Sequence, residues 1–426
     1  MNRGGGDLMN FQYGQDSNSV NGIDLSPFNL QKGDTKYLKS DNRDVFDFVG
    51  FVLDEANVLS VFPKHFYSDL ELKVMNQCKK ANKEDIKLLF DVFVKYSMEV
   101  ATTAKATKYI GAKPEFISDY PFAPFFEVYK YYRHYGIYRE SDIEIKPNSN
   151  GSVAWKSTIQ KAQVIVSDGN LLFSPLYRKK KRQQNVFLSE CMVFVINHTI
   201  NSFPYFISLP KTGYKMSSFN FIKHREYTLQ QLRQINSKTF KDAHKKLIAH
   251  LIDFFEQYKK SPKGGDTHIK INYFDKIWER MVAKYLNKYF KCVDEAADSI
   301  IFDKSLIASP LMLEAKELSV DDSSHKFKIR LDHYGKHEDS LYIFDSKYYN
   351  SISELNYKQF SYNEILRGSI SNDTKIYSAL ILPYNFTCSK LHFSLSHGFL
   401  GDRITGTKIM EQYLNIKEVM QTYISK

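Results

Sequence analysis

Asp332, Asp345 and Lys347 are the residues whose types and spacing could do hydrolytic chemistry in this chain. They lie in Lys328–Asn350, KIRLDHYGKHEDSLYIFDSKYYN, where two apolar-alternating runs joined by a short polar segment predict a β-hairpin. Ile329, Leu331 and His333 alternate with Arg330, Asp332 and Tyr334 in the first run. Leu341, Ile343, Asp345 and Lys347 share one face of the second, and Tyr342, Phe344, Ser346 and Tyr348 the other. The period of two brings Asp345 and Lys347 out side by side at the end of a run otherwise fit for a core. Charges are tolerated there when solvated, paired or bound to a metal. A hard cation, Mg2+ or Mn2+ in its place, takes carboxylate and carbonyl oxygens. The hairpin would bring Asp332 and Asp345 together and add the Ser346 backbone carbonyl. Lys347 would orient or help deprotonate the attacking water and offset charge on a phosphate. The competing reading of a lone D-x-K is an exposed ion pair at a strand end.

The arrangement, an Asp and then, thirteen positions on, an Asp-Ser-Lys ending a hydrophobic strand, resembles the PD-(D/E)xK nuclease superfamily. Leu331 stands where a Pro often precedes the first acid, and His333 follows it. The resemblance implies a C-terminal domain of αβββαβ type. It also implies an extra acid from the helix before the hairpin, which Glu279 matches by type and place, and a Lys or Gln early in the next helix against the scissile phosphate, matched by Lys358 and Gln359. For Glu279 the alternative is an intrahelical pair with Lys276.

The elements that would position these residues follow from periodicity. Asn272–Phe290 is an amphipathic helix with Phe274, Ile277, Trp278, Met281, Tyr285 and Tyr289 on one side. Ser299–Phe302 is the expected first strand. After the hairpin come a helix over Ser353–Arg367, a β-run over Thr374–Leu382 stopped by Pro383, and a closing helix over Lys408–Tyr423. Upstream, residues 1–40 are rich in Gly, Asn, Ser and Asp without sustained period, which predicts a disordered tail. A strand–turn–strand segment is expected after Asp47, followed by helices near Lys83–Ala104 and Phe122–Tyr138. Short strands are expected within Asn185–Ile222, including Val186–Phe194 and Pro204–Leu209, then helices over Thr228–Ile235 and Phe240–Tyr258. Pro262, Gly264 and Gly265 after cationic residues mark a linker. The expected organisation is mixed α/β: tail 1–40, a mixed α+β DNA- or partner-binding region 41–260, and the nuclease domain 266–426.

The 426 residues carry 43% hydrophobic and 15% aromatic residues and a formal net charge of +11, a globular chain suited to a polyanionic partner. The four cysteines, Cys78, Cys191, Cys292 and Cys388, lie about a hundred residues apart, which predicts reduced core thiols and no zinc site. No run approaches the roughly 18 apolar residues of a membrane span, so a cytoplasmic protein is expected. Self-association is left open. In Lys146–Arg182 a Gly-containing loop precedes Trp155-Lys156-Ser157-Thr158, and the stretch ends in Arg178, Lys179, Lys180, Lys181 and Arg182. Such a run is either a solvated loop or a phosphate-binding one; in the second case Lys156, Ser157 and Thr158 add hydrogen bonds to double-stranded DNA. Trp155 is expected as a buried anchor rather than a base contact.

Gly151, Trp155, Lys156, Thr158 and Ile159, after a Tyr-rich helix ending Tyr135-Gly136-Ile137-Tyr138-Arg139 and ahead of the D-x-K core, resemble the LlaJI-type restriction endonucleases and their McrC-like relatives over roughly residues 45–390. That resemblance implies a Mg2+-dependent endonuclease subunit of a restriction or defence system that works with an AAA+ GTPase or ATPase of the McrB kind. This chain has no G-x-x-x-x-G-K-[ST] phosphate loop of its own. The rival expectation is a non-catalytic basic adaptor that docks DNA onto such an NTPase.

Overall fold

A computed structural model describes residues 9–54, 56–106, 116–167, 169–184, 186–258, 267–321, 327–371, 374–399 and 406–425. The chain is mixed α/β and divides into two compact units, Met1–Asp119 with Ser261–Lys426, and Tyr120–Lys260. The region expected as one block over 41–260 is therefore split, its first part belonging to the unit that carries the hairpin. The linker residues Pro262, Gly264 and Gly265 lie outside the described residues.

In the first unit a five-stranded sheet has the order Asn10–Gln15, Asn57–Phe62, Val49–Leu53, Thr267–Ile271, Phe116–Ser118. The expected tail is corrected here. NFQYGQ pairs in parallel with Asn57–Phe62, and Phe11 and Tyr13 are buried. Phe28 enters a core with Phe46, Phe48 and Val52, and Asp34 forms a fully buried ion pair with Lys270. A segment of polar composition is ordered because strands far along the chain supply its hydrogen-bond partners.

The second sheet of this unit positions the chemistry. Its elements are α1 (Phe274–Tyr289), β1 (Glu314–Ser319), β2 (Lys328–His337), β3 (Ser340–Ser346), α2 (Tyr357–Arg367), β4 (Lys375–Tyr384), β5 (Cys388–Ser394), β6 (Lys408–Asn415) and α3 (Ile416–Ile424). The strand order is β1-β2-β3-β4-β6-β5. β2 and β3 form the antiparallel hairpin, β3, β4 and β6 run parallel, and β5 returns antiparallel at the edge. The helix–three strands–helix–strand order is present with a different first strand. Ser299–Phe302 pairs with Phe290–Asp294 in a separate ribbon, and β1 takes the place beside β2. The expected closing helix over Lys408–Tyr423 is a strand followed by a helix. The segment KIMEQYLN inserts between β4 and β5 with six successive buried residues, and Asn415 then caps α3 by accepting from the Glu418 amide.

On α1, Ile277, Trp278, Met281 and Val282 are fully buried, each contributing about 1.5–3 kcal/mol. Trp278 Nε1 donates to the Ile381 carbonyl at 3.2 Å, the oxygen that also accepts from the Lys347 amide at 2.8 Å. That shared carbonyl ties α1, and with it Glu279, to the end of β3. On α2, Tyr362 and Leu366 pack with Leu341 and Ile343, and Gln359 Nε2 donates to the Ile343 carbonyl at 2.7 Å.

The second unit has helices Phe122–Tyr135, Phe187–Ser202, Arg225–Lys238 and Asp242–Gln257, with a short helix Trp155–Lys161. Two small sheets join them, a hairpin Gln163–Ser167 with Asn170–Ser174 and a ribbon of Glu140–Pro147, Tyr177–Gln184 and Ser152–Val153. The strand expected over Val186–Phe194 is the start of a helix. FLSECMVFVINHTINS buries Leu188, Met192, Val195 and Ile196 among others, so no polar face betrays its period. Over Pro204–Leu209 the chain makes a turn at residues 204–206 and continues without regular structure rather than as a strand. Of the cysteines only Cys191 is a core thiol; Cys78 and Cys292 are exposed and Cys388 is half-buried. Among the described residues no helix is long and apolar enough to cross a membrane.

Candidate active site

The hairpin ladder runs from His337 opposite Ser340 to His333 opposite Phe344, and Asp332 and Asp345 are the next residues on its two strands. Asp345 is 2% exposed. Its Oδ2 makes no directed hydrogen bond and is met by the Lys347 ammonium, while Lys358 from α2 reaches Oδ1 at 3.2 Å. Asp332 Oδ2 accepts from the Ser346 amide at 3.1 Å. Burial, then the charge of Asp345, then that of Glu279 push the Asp332 carboxyl up to about 7, against the pull of Lys358 and the Ser346 amide. A cation beside Asp332 would favour its ionised form. Lys358 is held above the usual lysine range: burial lowers it, but Asp345, Tyr362 and Asp332 outweigh that.

His333 lies on the other face of β2, 1% exposed, with Nε2 2.7 Å from Ser346 Oγ. Burial drives its ring down to about 4, so it is neutral at pH 7 and holds the Ser346 side chain. Glu279 is placed beside the hairpin, its Oε1 accepting from Arg330 at 2.8 Å, so its charge is felt at Asp332 while that oxygen is already engaged. Gln359 departs from expectation. It is 1% exposed, and its amide nitrogen is committed to the Ile343 carbonyl and the Ser378 hydroxyl, a structural role.

Asp332 and Asp345 are oxygen donors of the kind that Mg2+ takes, an ion that keeps several waters and needs only one or two carboxylates. Among the described residues no three His, Cys, Asp or Glu side chains converge as metal ligands, so these residues do not form a closed, all-protein site of the structural-zinc kind.

The remaining predicted residues sit in the second unit. Lys156 is exposed on the helix Trp155–Lys161, and Trp155 is 58% exposed at its start, so it is no buried anchor. Thr158 is buried; its hydroxyl donates to the Tyr177 carbonyl and accepts from the Tyr177 amide, tying that helix to the basic segment. The basic segment is a strand, not a loop. Its register sets Arg178 opposite Lys146, Lys180 opposite Glu144 and Arg182 opposite Asp142. Alternation puts Lys179 on the face opposite Arg178 and Lys180, so these three do not form one continuous cationic surface. The side chains of Lys181 and Arg182 lie outside the described ones.

Gly151 has φ +135°, and a Cβ there would lie 2.1 Å from the Lys179 carbonyl oxygen. Its own carbonyl accepts from Arg178 at 3.1 Å. Gly151→Ala is expected to destabilise the second unit by about 1–3 kcal/mol, read as a lowered thermal midpoint. A midpoint equal to the parent would show that the close approach is relieved without cost.

No curated protein matches the chain. Among solved structures, a chain of the refined half-complex from a tetradecameric assembly of Thermococcus gammatolerans McrB AAA+ hexamers with bound McrC is similar at 11% identity and TM-score 0.37, covering 97% of this chain and 98% of that one. A chain of the Thermococcus gammatolerans McrBC complex is similar at 10% identity and TM-score 0.26, covering 66% and 89%. The family description LlaJI restriction endonuclease matches residues 48–394. That span runs from the first sheet through Gly151, Trp155 and the basic strand to the acid hairpin and Lys358, well over half of the sequence, and the chain belongs to the LlaJI restriction endonuclease family.

Proposed function

We propose that this chain is the nuclease subunit of a restriction or defence system and hydrolyses phosphodiester bonds of double-stranded DNA with a divalent cation, Mg2+ or Mn2+. The observation that carries this reading is the open end of the hairpin, where the ladder stops at His333 and Phe344, the charge of Asp345 bears on Asp332, and Lys347, just past the strand, meets Asp345. Asp332, Asp345 and the Ser346 carbonyl would hold the cation. When bound, it would supply Lewis acidity at the scissile phosphate and acidify the attacking water. Lys347, only 12% exposed and already against Asp345, orients that water and offsets developing charge. Lys358, half-exposed on α2, is placed to meet a phosphate oxygen. Glu279 adds negative field beside Asp332. Hydrolysis of plasmid DNA by the full chain in Mg2+, with and without an NTPase partner, tests the reading; a chain that binds DNA and never cuts it would be the basic adaptor instead.

An McrB-like AAA+ GTPase or ATPase is the partner we propose, because the chain lacks a phosphate loop of its own. The hairpin Gln163–Ser167 with Asn170–Ser174 exposes Val164, Val166, Leu171 and Leu172, an apolar surface suited to protein rather than phosphate. DNA contact falls to Lys156, Lys179 and Lys180, all exposed. Replacing Lys179 and Lys180 with Gln is expected to weaken DNA binding uniformly across sequences and to reduce the slope of log affinity against log salt by about 0.9 for each phosphate that is no longer neutralised. An unchanged slope would remove that strand from the DNA interface.

A further inference from the structure

We propose that Glu411 and His392 form a buried dyad that positions Lys358 for the reaction at Asp345, a role that rests on the nuclease reading above. Strands β3, β4 and β6 set Asp345, Leu380 and Glu411 in register, so the two acids share one transverse row of the sheet. Glu411 is 2% exposed, its strand neighbours Ile409 and Tyr413 packing with Leu380 and Leu382. A carboxylate in such surroundings is tolerated only when it is bonded. It is met by His392 Nδ1 at 2.7 Å, by Lys390 Nζ at 3.0 Å and by the Tyr413 hydroxyl. Burial pushes the Glu411 carboxyl up, but these donors outweigh it and hold it below the usual glutamate range.

The far side of the imidazole leads back to the active site. His392 sits where the β5–β6 register shifts between Leu391 and Phe393, a bulge of the kind that re-aims a side chain. A carboxylate can only accept, so Nδ1 carries the proton. The Asn356 amide can only donate, so Nε2, 3.3 Å away, is bare. Both contacts therefore require one and the same neutral tautomer. Asn356 is the N-cap of α2, and its Oδ1 accepts from the Gln359 amide at 2.9 Å. Lys358, between those two residues, extends to Asp345 at 3.2 Å. Fixing the Asn356 amide fixes where α2 begins, and so where the Lys358 ammonium arrives. Lys358 touches the reacting site; Glu411, His392 and Asn356 act through it.

Glu411→Gln keeps the volume, and because Lys390 and the Tyr413 hydroxyl donate to the other oxygen of this group, the amide oxygen stays with them and its NH2 turns to Nδ1, which moves the ring proton to Nε2 and sets two N–H groups against each other at Asn356. Histidine 15N spectra should show His392 as the Nδ1–H tautomer in the parent chain and as Nε2–H in Glu411→Gln. His392→Leu should lower single-turnover cleavage of plasmid DNA by the full chain in Mg2+ about 10-fold. His392→Gln, whose side-chain oxygen can accept from the Asn356 amide, should recover most of that loss. In a Lys358→Ala background His392→Leu should cost nothing further. If His392→Leu does not fold, Glu411→Gln takes its place in the cycle. Losses that multiply with that of Lys358→Ala, or an Nε2–H tautomer in the parent, overturn the proposal. If the parent chain cuts no DNA, it is the nuclease reading that fails. The cycle is then read as thermal midpoints, where non-additive shifts sustain the dyad's link to Lys358 and additive ones overturn it.

Discussion

Replacing Asp345 with Asn is expected to abolish cleavage in Mg2+ and to leave DNA binding largely in place. The side chain keeps its shape but loses the charge that meets Lys347 on one oxygen and Lys358 on the other. A metal held by carboxylates contributes several kcal/mol at a phosphoryl centre, so removing one of two such ligands should cost at least about 10^3-fold in rate. DNA binding should survive because the exposed cations proposed to meet DNA, Lys156, Lys179 and Lys180, lie on other elements of the chain, the helix Trp155–Lys161 and the strand Tyr177–Gln184. The fold pays a smaller cost: breaking a fully buried ion pair costs about 3–5 kcal/mol, but Lys358 is half-exposed and can turn to water, leaving mainly Lys347 to be resolvated. Cleavage, filter binding and thermal midpoint on one preparation separate these terms. Cutting at the parent rate by Asp345→Asn would exclude this carboxylate from the chemistry, and loss of binding together with cutting would point to a disturbed fold.

The site is legible in the sequence because a period of two is a local signal. Asp345 and Lys347 have to share a face, and Asp332 needs only a short turn to come to the same end of the hairpin. Elements whose burial depends on distant neighbours are not legible. β1 reads EAKELS and is mostly exposed, so it offers no apolar alternation, whereas SIIF at Ser299–Phe302 is rich in β-branched residues and has the stronger strand pattern. KIMEQYLN is buried on both faces, and a strand of that kind cannot be told from the helix that follows it by spacing alone. NFQYGQ sits among Gly, Asn and Asp and becomes a strand only because Asn57–Phe62 lies alongside. The partners of Asp345 and Glu411 differ in the same way: Lys347 is two residues away and stands out in the sequence, while His392 and Glu411 meet across a bulged pair of strands and leave no motif.

Asp332 and His333 are adjacent in sequence and should tilt the stability curve in opposite directions. Asp332 is raised from 3.8 to about 7, chiefly by burial and then by Asp345. Between those values the folded chain binds the proton that the unfolded chain has released, so this group's contribution is lost as pH rises through the window. His333 is lowered from 6.5 to about 4 by burial. Between those values the unfolded chain binds the extra proton, so its contribution grows with pH. Each slope is at most about 1.4 kcal/mol per pH unit, and over pH 4–6.5 they oppose one another. In metal-free buffer, Asp332→Asn should therefore unmask a midpoint that climbs from about pH 4 to 6.5, and His333→Asn one that falls from about pH 4 to 7, with the parent flatter than either. Mg2+ should stabilise the parent most above pH 7, because below it a proton must leave Asp332 before the cation can bind, and apparent affinity should drop up to tenfold for each unit of acidification. If Asp332→Asn leaves the slope unchanged, Asp332 ionises as an ordinary surface acid. The two carboxylates would then not be close enough to share a cation.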